Sequence, residues 1–157
     1  MRRAHTYFKR EEGAPAPLVA KVSKIVQFGE VDLLGIVWHG RYPGFFEEAN
    51  AALGKRYGLD YESMRFGGVA APIAQLHIDY HKPLSLSESF TVQASLIWDE
   101  GARLNMEYSL TGPDGSEVCT GYTIQTFISL ETRQALWLSP QLLERCRTKW
   151  QAGEFDV

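Results

Sequence analysis

Long apolar runs are missing from this 157-residue sequence. None approaches the roughly 20 residues that a membrane-spanning helix needs, so insertion into a bilayer is not expected. An excess of basic residues is missing as well. Sixteen Lys and Arg stand against nineteen Asp and Glu, for a net charge of -3. That balance argues against a nucleic-acid partner, which usually meets a basic face. Met1-Arg2-Arg3 opens the chain, but Glu11 and Glu12 follow where a secretory signal would carry an apolar stretch. A cytoplasmic location is expected on that ground. Cysteine is scarce: Cys119 and Cys146 lack ligand-type spacing, which excludes a zinc site and a disulfide framework. There is no internal repeat and no low-complexity tract, and the G-x-S-x-G, P-loop and G-x-G-x-x-G patterns are all absent. His77, Asp79 and His81 alternate along one segment. Strand neighbours two apart are separated by roughly 6–7 Å, so His77 and His81 are too distant to share one ion. No metal and no cofactor are expected.

What remains is the composition of one globular domain, 45% hydrophobic and 22% charged. Gly13-Ala14-Pro15-Ala16-Pro17 sets off a polar N-terminal arm. Residues 1–20 are read as that arm, contributing little to the fold, and 21–157 as a single domain. Residues 22–28 read as a strand. Tyr42, Phe46, Ala49 and Leu53 then recur at helical spacing over 42–57, with Pro43 in the first turn and Gly58 at the end. After that the period falls to 2. Leu76, Ile78 and Tyr80 share a face within 71–83, and Phe90, Val92, Ala94, Leu96 and Trp98 share one within 90–98. Leu104, Met106, Tyr108 and Leu110 do so within 103–110, and Val118, Tyr122, Ile124 and Ile128 within 117–129. Asp99-Glu100-Gly101 and Pro113-Asp114-Gly115 suit antiparallel joints. A last helix is expected from a Ser139 cap and Pro140, burying Leu142, Cys146 and Trp150. The pattern predicts one strand, one long helix and a meander of four strands. The sheet must hide its apolar face, and the long helix is the element large enough to cover it. The architecture is therefore α+β, a sheet curled around a helix. Its exposed edge strand predicts pairing between chains.

The stretch Phe28-Gly29-Glu30-Val31-Asp32-Leu33-Leu34-Gly35-Ile36-Val37-Trp38-His39-Gly40-Arg41-Tyr42 resembles the signature of the 4-hydroxybenzoyl-CoA thioesterase family. Ile78-Asp79-Tyr80-His81-Lys82-Pro83 resembles the second-strand pattern of the same family. The resemblance implies a hotdog fold, an acyl-CoA (or acyl carrier protein) thioester as substrate, and a homodimer or homotetramer with its active site at the subunit boundary. It assigns Asp32 as the carboxylate that attacks the thioester carbonyl or activates water. The amides of His39 and Gly40, at the opening of the long helix, are expected to hold the oxyanion. Gly35 and Gly40 would allow close approach of the substrate. The His39 side chain assists Asp32 or merely packs at the helix start. Trp38 and Tyr42 line the acyl pocket or belong to the core. The hairpin after the third strand is acidic here, where relatives carry basic residues for the nucleotide phosphates. Lys82, Arg103 or Arg133 would have to substitute, so both carriers stay open.

Two other readings compete with the hydrolase. His39 with Glu47 imitates the His–carboxylate pair of hotdog hydratases and dehydratases. A non-catalytic acyl-thioester binding domain would share the fold without turnover.

Overall fold

A computed structural model describes residues 7–156 of the chain. The first strand, β1, runs Leu18–Ile25, four residues earlier than its periodicity suggested, and a single 3-10 turn at Phe28–Glu30 follows. A second 3-10 turn, His39–Arg41, leads directly into α1, Tyr42–Tyr57. This helix matches the expected bounds because its signals are local. Proline sits in its first turn, and Gly58 closes it in the left-handed region (φ 77°) with its N–H on the Gly54 carbonyl.

Next come a short helix α2 (Tyr61–Phe66), a two-residue strand β2 (Val69–Ala70) and the long strand β3 (Ile73–Tyr80). Strands β4 (Ser89–Ile97), β5 (Arg103–Thr111) and β6 (Glu117–Thr126) are followed by the short β7 (Ile128–Ser129) and the helix α3 (Gln141–Gln151). Helix α2 carries no periodicity long enough to read from sequence. It is nucleated by Asp60, whose carboxylate accepts from the Ser63 N–H. At α3 the cap differs from expectation. Pro140 occupies the N-cap position, and the Ser139 hydroxyl accepts from the buried Arg147 guanidinium at 2.7 Å.

The main sheet has the order β1-β4-β5-β6-β3, all antiparallel, with β2 and β7 forming a separate pair. The expected meander is thus corrected: β3 and β4 are not neighbours. The two hairpins β4–β5 and β5–β6 hold as read, but β3 joins the far edge beside β6 and β4 lies beside β1. The curled sheet wraps α1, which packs against β1 and β4. Phe46 stacks on Tyr108 of β5 with ring centroids 4.4 Å apart and planes 4° from parallel. Full burial of side chains such as Phe45, Phe46 and Leu53 stabilises the fold by about 1.5–3 kcal/mol each.

A second correction concerns β6. Val118 is buried as expected at 2% exposure, but further along the strand Thr123 and Gln125, 2% and 3% exposed, take the buried face expected of Tyr122 and Ile124. Their polarity is satisfied. Thr123 shares a hydrogen bond with the Tyr108 hydroxyl, and Gln125 accepts from Asn50 and donates to the Ala71 carbonyl. The outer face is apolar because the N-terminal arm covers it. Tyr7 and Phe8 pack their rings on Tyr122, with centroids 5.2 and 5.3 Å away. Glu107, a buried carboxylate of β5, accepts from the Tyr7 and Phe8 amides and pairs with Arg10.

Candidate active site

The loop between β1 and α1 folds into a small hairpin. Val31 bridges Val37, the Asp32 N–H bonds the Ile36 carbonyl at 2.9 Å, and the Gly35 N–H bonds the Asp32 carbonyl at 3.0 Å. Gly35 is needed for its φ of +76°, and a Cβ there would meet nothing within 4 Å. That conformation closes the turn. Ile36 bridges Ser85, and the Val37 N–H bonds the Leu84 carbonyl, which fastens the hairpin to the segment after β3.

Asp32 therefore sits at the base of a braced turn. Its Oδ1 accepts the Leu34 N–H at 2.8 Å, and no salt bridge involves it among the described residues. The carboxylate lines a cleft of about 330 Å³ with Ile36, Val37, His39, Tyr42, Tyr80, His81, Lys82 and Pro83. The structure thus brings together Asp32, His39, Tyr42 and Lys82 from the sequence reading. Tyr80 and His81, which lie at the end of β3, complete the wall. Nothing local in the sequence assigned those two to the site.

The cleft opens where α1 begins. Among the described residues the hydrogen bonds leave the His39 and Gly40 amides without a backbone acceptor. They point out of the helix start, where the macrodipole is positive. Tyr80 fixes this corner by donating its hydroxyl to the His39 carbonyl at 2.8 Å and packing edge-on against Tyr42. Burial, and then Cys119 and Tyr80, push the Tyr42 phenol up to about 12, so it is a neutral donor at physiological pH. Trp38 is outside the cleft lining and half-exposed. Its indole lies across Gly40, where a Cβ would fall 2.4 Å from the ring. Gly40 thus makes room for Trp38.

Lys82 stands at the cleft mouth but is engaged: its ammonium donates to Asp114 at 3.2 Å and to the Ser116 hydroxyl at 2.7 Å. Arg103 is paired with Asp99 at 3.3 Å. Glu47 lies outside the cleft and accepts from the Tyr61 hydroxyl. A larger hollow of about 810 Å³ lies at the other end of α1, around Arg56, Phe66, Leu142 and Lys149. It holds none of the residues read as catalytic.

An antiparallel sheet wrapped on one long helix is the hotdog architecture of α+β proteins. The family model of the Thioesterase-like superfamily matches residues 26–146, and the chain belongs to that superfamily. By class it is a thioester hydrolase. The Bacillus subtilis protein YneP, whose name assigns it provisionally to the acyl-CoA thioesterases, is 32% identical over 97 residues, 62% of this chain and 70% of YneP. A DHNA-CoA thioesterase of Staphylococcus aureus superposes with a TM-score of 0.77 at 22% identity, over 88% of this chain and 94% of that one. Another Staphylococcus aureus protein, solved in complex with CoA, gives a TM-score of 0.76 at 19% identity over 90% and 89%. At such identities the two structures bear on the fold alone. Among the described residues no helix is long and apolar enough to cross a membrane.

Proposed function

We propose that the protein is an acyl-CoA thioesterase of the 4-hydroxybenzoyl-CoA type, hydrolysing an acyl thioester to free acid and thiol. One observation carries the reading: Asp32, in no salt bridge among the described residues, lines a cleft with His39 at the opening of α1, where two amides lack backbone acceptors among those residues. The Asp32 carboxylate attacks the thioester carbonyl or takes a proton from the attacking water. The His39 and Gly40 amides receive the oxygen as it becomes negative. The thiolate leaves and takes up a proton; where Asp32 itself attacks, water then hydrolyses the acyl–aspartyl anhydride, which releases the acid and restores the carboxylate. Lys82, at the mouth, offers the carrier phosphates a cation in exchange for Asp114. The name of YneP, which assigns it to the acyl-CoA thioesterases, favours coenzyme A as the carrier.

The working unit in this reading is a homodimer or homotetramer in the cytoplasm. Strand β3 is one of the two edges of the sheet, β1 being the other, and Ile73, Leu76 and Tyr80 on β3 are 50%, 45% and 51% exposed. A long, half-apolar edge invites pairing with a second copy. Since Tyr80 also walls the cleft, that pairing sets the active site at the subunit boundary.

The test is thiol release across a panel of aromatic, short-, medium- and long-chain acyl-CoA substrates, run beside Asp32→Asn. Hydrolysis of at least one class, abolished in the variant, is expected. Dehydration or hydration of an enoyl or hydroxyacyl thioester without thiol release would overturn it, as would ligand-dependent stabilisation without turnover.

A further inference from the structure

The outer face of the sheet carries a chain of hydrogen bonds with only one permitted direction. The Tyr7 hydroxyl is 2.7 Å from Asp79 Oδ2 and 2.7 Å from Thr120 Oγ1. Thr120 Oγ1 is in turn 2.8 Å from His81 Nε2, and His77 Nε2 is 2.9 Å from Asp79 Oδ2. A hydroxyl owns one proton and a carboxylate none. The Tyr7 hydroxyl, and then His77, hold the Asp79 carboxyl below the usual carboxylate range, so at neutral pH it only accepts. Tyr7 must therefore donate to Asp79. Its oxygen then accepts from Thr120, and Thr120, having given its one proton, accepts from His81. Along this chain the proton on His81 is thus placed at Nε2.

This matters because His81 lines the same cleft as Asp32. The anchor is remote in sequence: Tyr7 lies 113 residues from Thr120. It is held by its own amide on Glu107 at 2.8 Å, and its ring packs against His77 and Tyr122. Among the described residues, the ionisable groups around His81 include Glu117, whose carboxylate is 4.0 Å from Nε2, Asp79 two residues before it, and Asp32, His39, Tyr42, Tyr80 and Lys82 in the cleft.

We propose that Tyr7 is a positioning residue of the cleft, setting the tautomer and orientation of His81 through Thr120. The kinetic consequence rests on the thioesterase reading, while the tautomer assignment does not. The N-terminal arm is thereby part of the site's support. His81 sits at the mouth beside Lys82, so its disorder falls on substrate binding more than on the attack at Asp32.

The experiment uses the full chain with ¹⁵N-labelled histidine and the variants Tyr7→Phe, Thr120→Val and Thr120→Ser, with His81→Gln to assign the signal. Long-range ¹H–¹⁵N spectra at neutral pH are expected to give the Nε2–H tautomer for His81, and a mixture in Tyr7→Phe and Thr120→Val. With the best acyl-CoA substrate, both variants should raise KM by about three- to tenfold, the worth of roughly one hydrogen bond, with kcat within about twofold. Their double variant should be no worse than either, and Thr120→Ser should stay near the parent. An Nδ1–H tautomer in the unaltered protein overturns the proposal. So do unchanged KM values in both variants with only a lowered Tm, which describe a strap and nothing more. If the unaltered protein hydrolyses no thioester, the functional reading falls, and the spectra still decide the relay.

Discussion

Replacing Asp32 by Asn and, separately, by Ala divides two jobs that one side chain performs. The first job is local: Oδ1 accepts the Leu34 N–H and helps close the turn. Asn keeps that oxygen, and Ala loses it. One such hydrogen bond is worth about 0.5–1.5 kcal/mol net. In a chain of this size 1 kcal/mol moves Tm by about 2–4 °C. Ala should therefore lower Tm by about 1–6 °C, and Asn by less than about 2 °C. The second job is chemical and needs the charge. A positioned base contributes about 10²–10⁴ in rate, or roughly 3–5 kcal/mol of barrier, so kcat should fall at least about a hundredfold in both variants. The assay is release of coenzyme A thiol detected with a chromogenic thiol reagent, paired with thermal melts. The protein's own thiols do not interfere while it is folded. Cys119 and Cys146 are buried, and burial pushes their thiols up to about 12 and about 11. An Asn variant that keeps more than about a tenth of kcat would refute the catalytic role and leave Asp32 a turn-former. Losses of kcat that tracked losses of Tm across the two variants would do the same.

Three further outcomes are expected. Phe46→Ala removes a ring that is 2% exposed and stacked on Tyr108, and should cost about 3–5 kcal/mol, read as a fall in urea midpoint at unchanged slope. Leu76→Glu sets a charge on the open β3 edge and should convert a dimer to a monomer in light scattering; a parent protein already monomeric at micromolar concentration would remove the subunit-boundary site. The Asp79 carboxyl is held below its ordinary value of 3.8 by Tyr7 and then His77. The unfolded chain therefore binds a proton there before the folded one does, so stability is full above about pH 4 and is lost as pH falls through the lower folded value. Denaturant melts between about pH 5 and pH 2 should show this loss shrinking in Tyr7→Phe.

The helix over about 42–57 was readable because everything that makes it lies within the segment itself: the spacing of Tyr42, Phe46, Ala49 and Leu53, a proline where its missing N–H is harmless, and Gly58 able to adopt φ 77°. The β4–β5 and β5–β6 hairpins were readable for the same reason. Asp32 and the helix-opening amides lie within one short motif, so their neighbourhood was also visible.

What could not be read is what depends on a covering partner distant in sequence. Alternation in β6 says that two faces differ, not which one α1 will cover. Thr123 and Gln125 turned inward because Tyr108, Asn50 and the Ala71 carbonyl meet them there, while Tyr7 and Phe8 cover the apolar side. The pairing of β3 with β6, and hence the arrival of Tyr80 and His81 beside Asp32, is likewise a long-range event. Steric preference and period are encoded residue by residue. Burial, edge and cleft exist only once remote segments have met, and the chain closes its candidate site by that meeting.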